Sequence, residues 1–290
     1  MRFAVCFWAL FPIAALGQAG SPVFEAASVK PAPPPPGAGR PAMHGGPGTP
    51  DPGRVTFNNF TLMNVLARAY DMKSYQVSGP AWLTSERYDI AAKIPTGATK
   101  DQYDLMLQNL LAARFHLALH HETRQLQGFH LIAGRNGPRL KASPETEPAA
   151  SGQDSGEPES PPKTDARGFP ILTSPGLVLM EGVSGDAVVT YLTAKGQTIA
   201  ALVDFLSREF RLPILDRTGL GGKFDFTLEF APQPPGAVPP VEAGPSNAAA
   251  DSAPNLTVAV QQQLGLKLTP RKIAVHMLVI DHADRVPAGN

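Results

Sequence analysis

Apolar side chains recur with helical spacing in the middle of the stretch Tyr191–Phe230 and then alternate with polar ones. Thr198 can cap a helix, and the apolar positions that follow it are Ile199, Leu202, Val203, Leu206 and Phe210. This spacing predicts a helix with one buried face. From Lys223 to Phe230 apolar and polar residues alternate, which predicts a half-buried antiparallel strand.

The same pattern occurs earlier in the chain. Thr61 stands before Leu62, Val65 and Leu66 as Thr198 stands before its apolar positions, and an alternating strand follows in both places. A second pair of helices is predicted over Lys100–Arg114 and Leu256–Gln263. Each of these is expected to lead into a hairpin, formed by 115–122 with 126–133 and by 264–269 with 273–281. We interpret the repetition as an internal duplication.

The predicted fold class is α+β, with two duplicated units that each pack helices on one face of a mostly antiparallel sheet. The first unit contains a Pro/Gly-rich loop over 31–53 and the second a Pro/Ala-rich loop over 231–253. The final residues, 282–290, are expected to fray. The predicted domain order is a signal peptide over 1–19, a first repeat over 20–138, a disordered linker over 139–175 and a second repeat over 176–290.

The first residues have the pattern of a secretory signal peptide. Arg2 supplies a positive charge, the run Phe3–Leu16 is apolar but short for a membrane span, and small residues follow it. The alternative is an uncleaved N-terminal anchor. Cys6 is the only cysteine, so the mature chain is expected to lack disulfides, thiol nucleophiles and cysteine zinc ligands. The predicted location is periplasmic or secreted, without a transmembrane segment in the mature chain.

The charge balance argues against a nucleic-acid-binding protein. The chain has 25 Lys and Arg residues against 25 Asp and Glu residues, so its formal net charge is zero. A general nucleic-acid binder needs a basic face to neutralise phosphates. Gly219–Gly222 is glycine-rich but is followed by a strand instead of a helix, so no phosphate-cradling loop and no cofactor are predicted.

Four histidines lie within fifteen residues, and they suggest a metal site. On a strand, His116 and His120 would share a face with Glu122, and imidazole with carboxylate is a zinc-binding combination. The alternative is a solvated strand face with scattered polar residues. No His-Glu-x-x-His motif is present.

Two other stretches have part of a catalytic pattern. Gly182–Asp186 resembles a nucleophile turn, but its glycine comes one residue early and strands flank it, so a hairpin turn is predicted. Asp281 and His282 could form half of a catalytic triad, although a terminal tail rarely holds a base rigidly. No catalytic residue is therefore predicted.

Four stretches resemble a secreted, paralogue-rich family of unknown function that is abundant in soil Acidobacteria such as Solibacter. They are 24–31 (FEAASVKP), 110–123 (LLAARFHLALHHET), 214–226 (ILDRTGLGGKFDF) and 278–282 (LVIDH). The resemblance implies export and carries over no catalytic residue. A shorter pattern at 61–66 (TLMNVL) is similar to the short N-terminal domain of secretins and TonB-dependent receptors, which implies an envelope interaction module.

These observations favour a non-enzymatic binding or protein-interaction module of the cell envelope, whose partner is an envelope protein or a small ligand. Export, the duplicated units and the missing catalytic clusters are its basis. One alternative is a secreted hydrolase or metal-binding protein with an unrecognised site. Another is an extracytoplasmic sensor domain.

Overall fold

The computed structural model of the chain describes residues 21–33, 41–144, 163–184, 187–232 and 253–289. The predicted signal peptide lies outside these ranges, as do most of the Pro/Ala-rich loop and residues 145–162 of the predicted linker. The described residues form four helices and three four-stranded sheets, so the α+β prediction is confirmed. None of the described helices has the length and apolar character needed to span a bilayer.

Each helix begins after a residue whose side-chain oxygen accepts a backbone N–H from the first turn. Thr61 and Thr198 act as these caps, as predicted, and Thr99 and Asn255 cap the other two helices. The helices are α1 (Leu62–Ala69), α2 (Lys100–Phe115), α3 (Ile199–Phe210) and α4 (Leu256–Leu264).

Twelve strands connect them. They are β1 (Ala26–Pro31), β2 (Ala42–Gly45), β3 (Arg54–Thr61), β4 (Val77–Ser78), β5 (Arg87–Lys93), β6 (Ala118–Ala133), β7 (Lys141–Ala142), β8 (Gly176–Ser184), β9 (Ala187–Gln197), β10 (Ile214–Asp216), β11 (Phe224–Phe230) and β12 (Leu266–His282). The first sheet has the order β1-β5-β3-β2 and the third β7-β11-β9-β8, and both are antiparallel.

The middle sheet joins the two halves of the chain. Its order is β10-β6-β12-β4, and β6 pairs with β12 antiparallel from Ala118 opposite His282 to Ala133 opposite Leu266. One end of this β6–β12 ribbon adds Leu278 to the core of the first half, and the other end adds Leu131 to the core of the second. The short strands β4 and β10 pair in parallel on its outer sides.

The two predicted hairpins are therefore wrong, because each is one continuous strand. Residues 123–125, between the predicted strands of the first, contain none of the Gly, Pro, Asn or Asp residues that favour a tight turn. In β12, Pro270 lies opposite Phe129 inside the strand. Phe129 donates its N–H to Pro213 on the other side of β6, so Phe129 and Pro270 are a non-hydrogen-bonded pair and the nitrogen of Pro270 faces away from β6. On that outer side β4 pairs only with Leu278 and Val279, so the missing N–H breaks no described ladder bond.

Three predicted irregular regions contain structure. The predicted loop 31–53 contains strand β2, which pairs with β3 and extends the first sheet. In the predicted linker, β7 pairs with β11, and Phe169 packs against Tyr191 with ring centroids 4.9 Å apart. The C-terminal tail does not fray: the N–H groups of Asp284 and Ala288 donate to the carbonyls of Phe115 and Arg114 at 2.8 and 2.7 Å.

The same order of elements occurs in both halves: β3-α1-β4-β5-α2-β6 and β9-α3-β10-β11-α4-β12. The halves also share a contact between a strand carboxylate and the backbone. Asp89 accepts the N–H of Asn59 at 2.8 Å, and Asp225 accepts that of Gly196 at 2.7 Å, each at a left-handed residue before the helix cap. The internal duplication itself stays a prediction.

Candidate functional site

The histidines proposed as metal ligands do not share a strand face. His116 is the C-terminal cap of α2 with φ 45°, and the strand begins only at Ala118. His120 and Glu122 lie on β6, but His120 pairs with Asp281 at 2.8 Å and Glu122 pairs with Arg124. No group of three or more His, Cys, Asp or Glu side chains in the described ranges is placed to hold one metal ion. The metal site at His116, His120 and Glu122 stays a prediction.

His116 belongs instead to a cluster with His282 and Asp284, here called the His–Asp cluster. Nδ1 of His116 lies 2.7 Å from Oδ2 of Asp284, and Nε2 of His282 lies 3.1 Å from Oδ1 of the same carboxylate. The hydrogen bond from His116 lowers the pKa of Asp284 most, and the contact with His282 adds to that shift. The carboxylate is thus shared by two imidazoles, which fixes the tail to the end of α2.

More contacts hold the same tail. The hydroxyl of Tyr88 donates to the carbonyl of Arg285 at 2.7 Å, and burial raises the pKa of Tyr88 to about 12, so it remains a donor. The Arg285 guanidinium lies 2.9 Å from Glu86 and 6.0 Å from the centre of the Trp82 ring. Together with the His–Asp cluster, these contacts hold His282, Asp284 and Arg285 against the first half, and this set of contacts is here called the tail clamp. Sequence reasoning had considered Asp281 and His282 as half of a triad but had missed their partners, which are His120 for Asp281 and Asp284 for His282.

A different surface forms at the opposite end of the ribbon. After β6 the chain turns through Gly134–Gly137, and this turn is fastened to the end of α4. The N–H of Gly134 donates to the carbonyl of Gly265 at 2.8 Å, and the N–H of Arg139 donates to that of Leu264 at 2.7 Å. Gly265 has φ 65°, and a Cβ there would lie 2.2 Å from the carbonyl oxygen of Gly137. Only glycine fits this contact.

The turn borders a cavity of about 670 Å³, here called the basic pocket. Three exposed cationic side chains line it, from Arg135, Arg139 and Lys267. Asn136, Gln261 and Gln262 also line the pocket, and Nη1 of Arg139 donates to the Gln262 backbone carbonyl at 2.9 Å. Among the described residues no carboxylate lines the pocket, and none forms an ion pair with the three cations.

Sequence reasoning missed the basic pocket. Arg139 falls in the predicted linker and Lys267 in the predicted strand 264–269. Because the two residues are far apart in the chain, the sequence pattern gives no indication that they line one pocket. One available signal was the stretch Gly134–Gly137, whose Gly-Arg-Asn-Gly sequence after an apolar strand is typical of a tight turn. It would have indicated that Arg135 is displayed at a strand end.

The chain belongs to a family described as protein of unknown function, DUF3738, whose model matches residues 63–283. The resemblance to an uncharacterised family is therefore confirmed. The abundance of that family in Acidobacteria and the likeness to secretins and TonB-dependent receptors stay predictions. Neither the curated proteins nor the solved structures contain a match to the chain.

Proposed function

We propose that this member of the DUF3738 family is an exported binding protein of the bacterial cell envelope that takes a phosphate-bearing ligand in the basic pocket. The observation that carries the proposal is the grouping of Arg135, Arg139 and Lys267 around one cavity without a described carboxylate. In a chain whose formal net charge is zero, this grouping is a local excess of positive charge.

The chemistry of the lining favours phosphate. An arginine guanidinium presents a planar fork of N–H donors that matches two phosphate oxygens, and a lysine ammonium adds a point charge. The amides of Asn136, Gln261 and Gln262 offer neutral donors and acceptors for the rest of a ligand. The volume lies within the range of about 300 to 1,000 Å³ that is usual for small-molecule sites.

The backbone around the pocket supports binding because it is already ordered. Two hydrogen bonds fasten the turn at Gly134 and Arg139 to the end of α4, and Gly137 and Gly265 approach so closely that a Cβ on Gly265 would lie 2.2 Å from the Gly137 carbonyl oxygen. A ligand then meets side chains on a fixed framework, so less conformational entropy is lost on binding.

Binding fits the pocket better than hydrolysis does. Its described lining contains no histidine, carboxylate, serine or cysteine that could act as a general base or nucleophile. The envelope location is part of the proposal and rests on the signal-like pattern of residues 1–19.

The test is isothermal titration calorimetry of the purified protein with inorganic pyrophosphate, combined with co-sedimentation on vesicles of phosphatidylglycerol or phosphatidylcholine. Arg135→Gln combined with Lys267→Gln should weaken pyrophosphate binding at least about tenfold, because two charge-assisted contacts are lost. Arg54→Gln removes an exposed cation on β3, away from the pocket, and should leave the affinity unchanged.

The vesicles distinguish two sources of phosphate. Retention on phosphatidylglycerol vesicles that the pocket variant abolishes assigns the ligand to a lipid headgroup, whereas pyrophosphate binding without retention assigns it to a soluble phosphate ester. The proposal is wrong if the wild-type protein binds neither probe, or if the pocket variant and Arg54→Gln behave alike.

A further inference from the structure

A second cavity, of about 540 Å³, lies between the two halves of the chain. Its first wall comes from the start of α1, from the 3₁₀ turn at Ser74–Gln76 and from Arg87 on β5. Its second wall comes from Arg211 and Leu212, which follow α3, and the middle of β6 forms the floor. This interhalf cleft shares no lining residue with the basic pocket, so the two sites can be tested separately.

Arg211 has an unusual backbone. It caps the C-terminus of α3 in the left-handed conformation, with φ 52°, where glycine is the ordinary choice. Helix α4 ends in the same left-handed conformation with a glycine, Gly265. The side chain of Arg211 is exposed and forms no hydrogen bond or ion pair with any described residue. A strained position that carries an unpaired guanidinium on a cleft wall is the kind of outlier that points to function.

Arg87 faces the same cleft from the other half and is held in place. Its Nη1 donates to the carbonyl of Asn59 at 2.9 Å, which fixes the guanidinium while leaving its other N–H groups available. The cleft therefore contains one fixed and one unpaired arginine, contributed by different halves. Two such groups can bind one carboxylate from both sides.

The rest of the lining is mixed. Met63, Leu126, Leu212 and the half-buried ring of Tyr75 supply apolar surface. The hydroxyls of Ser74 and Thr84 and the amide of Gln127 supply polar contacts. Burial raises the pKa of Tyr75 and the negative charge of Asp204 adds to that shift, so its hydroxyl stays protonated and can donate.

Asp204 is the acidic group whose charge reaches this region, and it is already paired. Its carboxylate forms an ion pair with the ammonium of Lys73, which links the first half to α3. The other nearby acid, Glu209, has its pKa raised by burial, against a smaller opposing effect of Arg208. Neither acid forms a described ion pair with Arg211 or Arg87.

We infer that the interhalf cleft is a second binding site, which takes an organic carboxylate with an apolar body. The carboxylate lies between Arg87 and Arg211, and the apolar body lies against Met63, Leu126 and Leu212. Because the two arginines come from different halves, the bound ligand spans the junction between them.

The test uses hippurate, an aromatic carboxylate, and its neutral methyl ester, titrated into the purified protein and followed by calorimetry. Hippurate should bind at least about tenfold more tightly than the ester, because only hippurate can pair with the arginines. Arg211→Gly removes the guanidinium while supplying the residue that the left-handed cap prefers, so the fold is retained. It should weaken hippurate binding about tenfold and leave ester binding unchanged.

Arg208→Gln is the matched control, because it removes an exposed cation from α3 outside the cleft, and it should bind hippurate like the wild-type protein. The variant with Arg135→Gln and Lys267→Gln should also bind hippurate normally, which separates this inference from the proposed function. Equal affinity for hippurate and its ester, or equal affinity of Arg211→Gly and Arg208→Gln for hippurate, would overturn the inference. Absence of hippurate binding to the wild-type protein would overturn it as well.

Discussion

The two ends of the β6–β12 ribbon have the same backbone plan and opposite side-chain chemistry. At each end a helix stops in a left-handed cap, His116 after α2 and Gly265 after α4, and a long strand follows. At each end, the segment that follows the opposite strand donates a backbone N–H to the carbonyl of the last residue of the helix. Asp284 donates to Phe115 at 2.8 Å, and Arg139 donates to Leu264 at 2.7 Å.

The difference is the balance of charge. At the first end, Asp284 accepts from two imidazoles and Glu86 pairs with Arg285, so the polar groups there are satisfied by one another. At the second end, Arg135, Arg139 and Lys267 have no described acidic partner. One framework can therefore serve as a clamp for the chain terminus or as a binding site. Which role it takes depends on whether the chain supplies the counter-charge itself.

The largest expected effects come from the buried leucines that tie both ends into one ribbon. Leu278 belongs to the first core and Leu131 to the second, and neither is exposed. Leu278→Ala or Leu131→Ala should each lower the free energy of unfolding by about 2 to 5 kcal/mol, through lost burial and a residual cavity. Urea denaturation followed by Trp82 fluorescence and by far-ultraviolet circular dichroism measures both changes.

Because the ribbon connects the cores, both probes should report one coincident transition in both variants. A Leu131→Ala protein whose dichroism transition shifts while its Trp82 transition does not would show that the halves unfold separately.

A smaller effect is expected from single substitutions at the two left-handed caps. Gly265→Ala should cost roughly 1 to 3 kcal/mol of stability, because its Cβ would meet the carbonyl oxygen of Gly137 in a conformation that favours glycine. His116→Gly should change stability by less than about 1 kcal/mol, since relief of the left-handed strain offsets the loss of an exposed hydrogen bond. Thermal denaturation of the two proteins gives the comparison, and a Gly265→Ala protein as stable as the wild type would contradict it.

The ends should also differ in their response to acid. The hydrogen bond from His116 lowers the pKa of Asp284 in the folded protein. The contribution of the ionised Asp284 carboxylate to tail docking is therefore complete above the ordinary aspartate pKa of about 4. It is lost as the pH falls through the lowered pKa of Asp284 in the folded protein. After correction for the intrinsic pH dependence of exchange, the protection of the Ala288 amide against hydrogen exchange should fall in that acidic window, whereas the protection of the Arg139 amide should show no matching step.

Asp284→Asn is the control for this behaviour, because it removes the titrating group. Its Ala288 exchange should lose the acid-dependent step, and a step that persists unchanged would assign the effect to another carboxyl group, such as Glu86.

The smallest effect is expected at the exposed pair of His120 and Asp281. Both side chains are about half exposed, so Asp281→Asn should change the free energy of unfolding by less than about 1 kcal/mol. Chemical denaturation beside the wild-type protein checks this value, and a loss several times larger would mean that the pair supports the tail clamp.

Local features of the fold could be predicted from the sequence. The caps Thr61 and Thr198 and the apolar faces behind them follow from short-range spacing, and the structure confirms those helices. The pairing of β6 with β12 could not be predicted in this way. Its partners are separated by most of the second half of the chain, and alternation within a strand does not identify its neighbour.

The candidate sites were harder to predict for the same reason. Arg139 and Lys267 meet only because the ribbon brings their strand ends together, and His116 meets Asp284 only because backbone hydrogen bonds dock the tail. The alternation of Phe115, Leu117 and Leu119 predicted a strand that includes His116. In the structure α2 continues to Phe115, and His116 is its C-terminal cap. Distant contacts of this kind leave no periodic signal in a single sequence.

The difference between the two ends is tested most directly by amide NMR spectra of the protein recorded during a titration with pyrophosphate. We expect saturable shifts that are confined to Gly134–Arg139, to the end of α4 and to Lys267, while the amide signals of His116, His282 and Asp284 do not move. Shifts of equal size at both ends, or shifts at the His–Asp cluster alone, would contradict it.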